Sequence, residues 1–262
     1  MENKNYKMRN YSHALNKRID MIPKIIHYCW FGGKSLPRSA RKCIASWRKF
    51  FSDYEIVEWN ESNFDVNMIP YTAGAYAAKK YAFVSDFARF WILYHQGGVY
   101  FDTDVEVVRS MDDIIRNGAF MGIQANVFPT DPWTVVNPGL GMGSEAGHKV
   151  WERIIKKYQE YESWNTGVTV CDMISYILKE NEVTLTQKGG DFMGITIYPA
   201  DYFCPQALMG APIHITKNTR SIHHFDGTWL PFHVRLKMRL LGLLPYAIAS
   251  RLRKYKSKFR SE

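Results

Sequence analysis

The sequence predicts an α/β fold built on a mostly parallel sheet, and three observations support this prediction. Short apolar runs typical of buried strands alternate along the chain with amphipathic helical patterns. Glycine pairs at 32–33 and 97–98 stand where a strand and a helix would end. The chain has 262 residues, 46% of them hydrophobic, which is enough for one large domain or two small ones.

The first predicted elements alternate strand and helix. Ile22–Phe31 is an apolar, aromatic run that ends in a glycine pair, as a buried strand before a turn does. Ser39–Phe51 is predicted to be a helix because its apolar residues at 44, 47 and 51 recur at spacings of three and four. Tyr54–Trp59 alternates as a second strand would.

Two helices and a strand are predicted next. Ala73–Tyr81 and Val84–His95 have helical patterns, and Gly97 and Gly98 end the second helix. Tyr100–Val108 is predicted to be the following strand. The remaining elements are predicted to be the strand Ala119–Val127, a glycine-rich loop at 137–143, helices at Ala146–Tyr161 and Val168–Leu178, and short strands at Thr196–Tyr198 and Ile213–Thr216.

Positive charge is concentrated at the end of the chain. Of a net charge of +9, the segment from Arg235 onward holds nine basic residues against Glu262 alone, and the remainder is close to neutral. This distribution argues against a nucleic-acid-binding body and indicates a local basic appendage. We therefore expect one domain at 1–230 and a basic amphipathic tail at 231–262. The tail either contacts an anionic membrane surface or packs as a solvated helix on its own domain.

Cysteine usage and hydrophobicity predict the compartment of the protein. Four scattered cysteines without a CxxC pair indicate reduced thiols. The first twenty residues are polar, and no stretch reaches the apolar length of a membrane-spanning helix. These features predict a cytoplasmic protein that works at the inner face of the cell membrane.

Asp102 and Asp104 lie one residue apart in the predicted strand Tyr100–Val108. Because strand side chains point to alternate faces, the two carboxylates would face the same side and repel each other unless a cation lay between them. Oxygen ligands with open positions suit Mg²⁺ or Mn²⁺ carrying a substrate phosphate. The pair therefore predicts the metal-diphosphate site of a sugar-nucleotide enzyme, although aspartates are also common in turns that follow strands.

Four motifs resemble those of the DxD sugar-binding glycosyltransferases of family 32. The core is Ser85–Arg89 (SDFAR) followed by Gly97–Asp104 (GGVYFDTD), the opening strand is Ile22–Gly33, and Ile222–Trp229 resembles the closing His-His-x-x-Gly-Ser-Trp motif. Asn137, in an Asn-Pro-Gly loop, fits loosely. The family includes capsular-polysaccharide glycosyltransferases and fungal α-mannosyltransferases, and it is similar to the glucosylating domains of large clostridial toxins.

The resemblance covers about 22–230 and implies a GT-A-like fold and a metal-dependent, retaining hexosyltransferase. It implies Mn²⁺ or Mg²⁺, a UDP-sugar or GDP-sugar donor, and a saccharide acceptor that is lipid-linked, in capsular or O-antigen polysaccharide synthesis. No nucleic-acid partner is expected. The base, the sugar, the linkage and any nucleophile stay open.

The resemblance also implies roles for single residues. Asp102, Asp104 and Arg89 are expected to be catalytic, and Asp102, Asp104 and His224 to hold the metal, with His223 as the rival of His224. Trp30 would stack on the nucleobase, and Trp229 would donate its indole N–H to a β-phosphate oxygen. The full set of expected donor-binding residues is Tyr28, Trp30, Asp86, Arg89, Tyr100, Asn137 and Trp229.

Two other functions fit parts of the sequence. Phe101–Val105 matches the Asp-x-Asp of haloacid-dehalogenase-type phosphatases, whose first aspartate is a nucleophile. That motif normally lies on a first strand, whereas a hundred residues precede it here. A non-enzymatic basic adaptor for lipid or nucleic acid would use the tail alone, and the near-neutral body weakens this alternative.

Overall fold

The computed structural model describes residues 21–125, 134–183, 185–207, 209–228 and 230–244. The strands in this part of the chain are β1 (Ile25–Cys29), β2 (Glu55–Trp59), β3 (Gly98–Tyr100), β4 (Val105–Val107), β5 (Phe120–Gly122), β6 (Met142–Ser144), β7 (Gly190–Phe192), β8 (Ile195–Tyr198) and β9 (Ser221–His223). The helices are α1 (Arg38–Phe50), α2 (Pro70–Ala77), α3 (Tyr81–Gln96), α4 (Asp112–Arg116), α5 (Lys149–Gln159), α6 (Val170–Glu180), α7 (Ala200–Phe203) and α8 (Phe232–Gly242), with a 3₁₀ turn at Pro138–Leu140.

Seven strands form one sheet in the order β2-β1-β3-β6-β5-β8-β7. The pairs β1–β2, β1–β3 and β5–β8 are parallel, whereas β6 and β7 run antiparallel to their neighbours. Five of these seven strands therefore share one direction. This topology confirms the predicted class, an α/β fold with a mostly parallel central sheet.

Apolar side chains cover both faces of the sheet, as a mostly parallel sheet requires. On one face α1 buries Ile44 and Trp47 against Phe101, and the Trp47 indole donates to the carbonyl of Val105 at 2.7 Å. On the other face α3 and α5 pack together, with Phe90 against Trp151. The apolar spacing that predicted helix 39–51 is thus the buried face of α1.

The predicted strand Tyr100–Val108 is wrong in its middle. β3 ends at Tyr100 and β4 begins at Val105, with a turn closed by the bond from the Val105 N–H to the Asp102 carbonyl, at 3.0 Å. The chain turns because β4 leaves the large sheet and pairs with β9 in a separate two-stranded sheet. The two aspartates therefore lie in a turn between strands, not on one face of a continuous strand.

The predicted strand Ile213–Thr216 is also wrong. This segment has no strand structure, and Ile213 and Ile215 are 42% and 60% exposed. Its apolar residues contribute nothing to the core, because no described strand lies beside them to form a ladder.

The end of the described chain is the helix α8. It begins directly after Pro231, and residues 245–262 lie outside the described residues. None of the described helices combines the length and hydrophobicity needed to cross a bilayer. The division into a domain at 1–230 and a tail at 231–262 stays a prediction.

Candidate active site

The candidate site lies at the edge of the sheet where β1 and β3 end. These strands are parallel, with His27 opposite Tyr100, so Trp30 and the DxD turn leave the sheet at the same edge. The chain passes from β1 to β2 on one side and then returns to β3 on the other side of β1. Ligands of open α/β sheets bind at such reversals, outside the carboxyl ends of the strands.

Arg89 links two carboxylates at this edge. Its side chain is 4% exposed, and its Nη2 lies 2.9 Å from Asp86 Oδ1 and 3.2 Å from Asp102 Oδ1. Asp86 and Arg89 are one turn apart on α3, which places both on the side that faces Asp102. Burial raises the pKa of Asp86 to about 6, although the neighbouring guanidinium opposes that shift. The structure thus brings together the SDxxR and DxD motifs as the sequence predicted.

Asp102 is also held from two other directions. The Tyr100 hydroxyl donates to Asp102 Oδ1 at 3.1 Å, and the Asp102 N–H donates to the carbonyl of Gly139 at 3.4 Å. A β-carbon at Gly139 would lie 2.3 Å from Asp102 Oδ2, so only glycine permits this approach. Asn137 shapes the loop by accepting the Gly139 N–H at 2.8 Å. Asn137 therefore supports Asp102 through the loop backbone.

Asp104 takes its partners from the far end of the chain. Its Oδ1 lies 3.3 Å from His223 Nε2, and its Oδ2 accepts the Asp226 N–H at 2.9 Å. Burial alone would raise the pKa of Asp104, but the adjacent His223 imidazolium and these hydrogen bonds lower it to about 2. The side chain is held as a carboxylate.

The two adjacent histidines point to different places. His223 is buried, and its ring is edge-on to that of Phe225 with 4.3 Å between the ring centroids. The Nε2 of His224 instead lies 2.8 Å from Glu106 Oε2. Successive side chains at a strand end face opposite sides, so only one of them can reach Asp104. The structure therefore brings His223, and not the expected ligand His224, to the two aspartates.

Two aspartates and one histidine form a cluster that fits a divalent cation. Asp102, Asp104 and His223 each offer one ligand atom, and these three atoms lie within 4.8 Å of one another. Two carboxylates and one imidazole suit Mn²⁺, or Mg²⁺ with water completing its shell. Arg89 already offsets the charge of Asp102, so the cluster keeps open acceptor positions without an uncompensated pair of buried anions.

Three aromatic residues were also predicted to bind the donor, and the structure supports their roles to different degrees. Trp30 is half-buried at the end of β1, with its indole donating to the Lys34 carbonyl, so stacking on a base stays a prediction. Tyr28 is not brought to the aspartates: its hydroxyl donates to Glu58 at 2.6 Å and it lies in the core beside Trp47. Trp229 lies outside the described residues.

Two contributors to the site were not predicted from the sequence. Gly139 was noted only as part of a loop, and Asp226 acts through its backbone N–H, which no side-chain motif reveals. Phe225, just before Asp226, has a left-handed φ of 53°, which is unusual for a bulky residue. No sequence pattern distinguishes a turn in which a residue other than glycine adopts this conformation, so the turn could not be predicted.

Comparison with known proteins agrees with this geometry. Residues 37–121 match the family model described as a glycosyltransferase sugar-binding region containing a DXD motif, a range that includes Asp86, Arg89, Asp102 and Asp104. This part of the chain therefore resembles the DXD-containing sugar-binding region of glycosyltransferases. The resemblance based on the sequence motifs is confirmed. The phosphatase and adaptor alternatives gain no support from these matches.

Individual relatives differ in how much of the chain they cover. The chain is 28% identical over 193 residues to an uncharacterized glycosyltransferase of Acanthamoeba polyphaga mimivirus, covering 71% of this chain and 74% of that protein. It is 26% identical over 114 residues to inositol phosphoceramide mannosyltransferase 1 of Schizosaccharomyces pombe, covering 39% of this chain. The match spans about a third of the length of that yeast protein, 34%.

Among solved structures, the glycosyltransferase GlyE of Streptococcus pneumoniae aligns over 90% of this chain and 64% of its own, at 13% identity and a TM-score of 0.47. The glycosyltransferase PaToxG aligns over 66% of this chain and 76% of its own, at 17% identity and a TM-score of 0.44.

Proposed function

We propose that the protein is a metal-dependent glycosyltransferase that moves a hexose from a nucleotide-diphospho-sugar to a saccharide acceptor. The observation that carries the proposal is the convergence of Asp102, Asp104 and His223 to within 4.8 Å at the carboxyl edge of β3. Mn²⁺ or Mg²⁺ held there would neutralise the charge that develops on the departing diphosphate.

The residues around the cluster have distinct tasks in this proposal. Arg89 holds Asp102 in place through its buried guanidinium, and its remaining N–H groups suit hydroxyl or phosphate oxygens of the donor. Asp86 would accept hydrogen bonds from ribose or sugar hydroxyls. Trp30, at the same edge of the sheet, would stack on the base.

The finer parts of the proposal rest on resemblance. The fungal relatives are named as mannosyltransferases that act on inositol phosphoceramide, which supports a hexose donor, as a UDP-sugar or GDP-sugar, and a lipid-linked acceptor. We extend the family resemblance to retention of anomeric configuration and to capsular or O-antigen synthesis. The proposed place of work is the cytoplasmic face of the cell membrane.

A donor panel tests this function directly. The full chain is incubated with UDP-sugars and GDP-sugars, with and without Mn²⁺, and the melting temperature and the release of free hexose are measured. A true donor at about 100 times its Kd would stabilise the fold by about 2.7 kcal/mol. We expect one donor class to shift the melting temperature more with Mn²⁺ than without it.

The matched variants are Asp104→Asn and Asp53→Asn. Asp104→Asn should abolish the part of the shift that depends on Mn²⁺, whereas Asp53→Asn, on the surface beside Lys24, should keep it. Absence of any shift or turnover across the panel would overturn the proposal. Metal-dependent cleavage of a simple phosphomonoester would instead favour the phosphatase alternative.

A further inference from the structure

Helix α8 uses only one side to pack on the protein. Gly242 is its buried residue, and a β-carbon there would lie 2.2 Å from the Met209 carbonyl oxygen. Gly210 makes the reciprocal approach, since its β-carbon would lie 2.7 Å from the Arg239 carbonyl oxygen. Backbone-to-backbone contact through two glycines fixes the side of α8 that faces the domain.

The other side of α8 is apolar and exposed. Phe232, Leu236, Leu240 and Leu243 follow one another at spacings of four, four and three, so they share one helix face. They are 71%, 47%, 57% and 71% exposed. Single exposed leucines are ordinary on soluble proteins, but a row of four large apolar side chains marks a surface that another body covers.

Cations border this apolar row. On a helix of 3.6 residues per turn, Arg239 falls on one margin of the row and Lys237 on the other, and both are exposed. Helix α8 contains no Asp or Glu. From Arg235 onward the sequence contains nine basic residues and a single acidic residue, Glu262.

We infer that this face of α8 lies in the interface of an anionic lipid bilayer. An apolar row flanked by cations is the pattern that buries leucine and phenylalanine at the headgroup boundary while lysine and arginine meet anionic headgroups. A second copy of the chain fits less well, since it would bring two basic segments together. The inference gives a surface to the proposed membrane contact and does not depend on the sugar chemistry.

Vesicle binding by the full chain tests this inference. The protein is sedimented with vesicles of phosphatidylcholine alone, or of phosphatidylcholine mixed with phosphatidylglycerol, at low and high salt. We expect binding to the mixed vesicles and weaker binding at high salt. Leu236→Gln combined with Leu240→Gln should weaken binding by about tenfold or more, because two exposed apolar side chains no longer enter the bilayer.

Two controls make the result specific. Leu236→Met combined with Leu240→Met keeps an apolar face and should bind as the natural protein does. Tyr176→Gln removes another exposed ring, 45% exposed on α6, and should leave binding unchanged. All of these side chains are exposed, so melting temperatures should agree within a few degrees.

Two results would overturn the inference. One is undiminished vesicle binding by the double glutamine variant. The other is a natural protein that is a dimer without vesicles, together with a double glutamine variant that is a monomer. That result would make the face a self-association surface. Release of hexose from the donor in vesicle-free buffer is measured in parallel. If the double variant loses vesicle binding but keeps this release, the membrane surface and the proposed chemistry are separated.

Discussion

Two regions of the molecule hold the two aspartates of the DxD turn, and they differ in how their members are assembled. Asp102 is bound by Arg89 and Tyr100, which precede it by 13 and 2 residues. Asp104 is bound by His223 and by the backbone of Asp226, the latter 122 residues away. The first region is a local unit of α3 and β3, whereas the second exists only where β4 pairs with β9.

The two regions should contribute to different properties, the first to the stability of the fold and the second to metal affinity. In the first region a buried cation lies between two carboxylates, so removing it leaves buried charge uncompensated. In the second region a strand pair and a turn bring a histidine to a carboxylate. We therefore expect damage to the first region to unfold the protein, and damage to the second to lower its metal affinity while the fold persists.

The largest effect is expected at Arg89. Arg89→Met should lower the free energy of unfolding by about 3 to 5 kcal/mol, because Asp86 and Asp102 lose their shared cation. Urea denaturation at neutral pH measures this. Adding Asp86→Asn to that variant should restore part of the loss. Arg41→Met, on the exposed face of α1, should change it by less than about 0.5 kcal/mol. Equal effects at Arg89 and Arg41 would contradict the claim that the buried Arg89 stabilises the fold.

Acid should also weaken a contact beside the first region, made by the buried His27 on β1 with the residue that follows α3. Its Nε2 lies 2.9 Å from the Gly97 carbonyl oxygen, and burial lowers its pKa to about 4. The folded pKa lies below the unfolded value of 6.5, so the folded state binds fewer protons between the two. The contribution of His27 to the free energy of unfolding should therefore fall by up to about 3 kcal/mol as pH decreases from 6.5 to 4. The raised pKa of Asp86 acts in the opposite direction over part of this range, so the effect of His27 is measured as the difference from a variant that lacks it.

Denaturation curves at several pH values check this expectation. His27→Gln should flatten the decrease, whereas His95→Gln, at the exposed end of α3, should leave it as in the natural protein. If the natural protein and His27→Gln respond to acid alike, His27 is not the group that responds.

The same comparison explains what the sequence could predict. Asp86, Arg89 and Asp102 were predicted as parts of one site because the family resemblance rests on two motifs that lie close together in the sequence, at 85–89 and 97–104. The sequence favoured His224 over His223, but the choice depends on the register of β9 against β4, which sets His223 opposite Val105. That register forms between segments more than a hundred residues apart. The break between β3 and β4 was missed for the same reason.

The second region is probed by the two histidines. His223→Ala should weaken Mn²⁺ binding by about 10- to 100-fold, because one of three converging ligand atoms is lost. His224→Ala should have a much smaller effect, since it pairs with Glu106 outside the cluster. Calorimetric titration with Mn²⁺ measures both, and circular dichroism checks that both variants fold. A larger loss in His224→Ala would make His224, and not His223, the metal ligand.

The smallest expected effect lies at Phe225, where backbone and ring act separately. Its φ of 53° costs an L-residue about 1 to 2 kcal/mol, and its ring packs against His223 at 4.3 Å. Phe225→Gly and Phe225→Ala both remove the ring, but only glycine accepts the left-handed turn without strain. Urea denaturation should find Phe225→Gly more stable than Phe225→Ala by about 1 kcal/mol.

Metal affinity should respond differently from stability in this pair of variants. If the ring holds His223 toward Asp104, Phe225→Gly and Phe225→Ala should lose Mn²⁺ affinity to a similar degree, although their stabilities differ. Equal stabilities would mean that the turn does not impose its left-handed backbone. Unchanged affinity in both would mean that the β4–β9 pairing alone places His223. The two measurements thus separate what the turn contributes to the fold from what it contributes to the site.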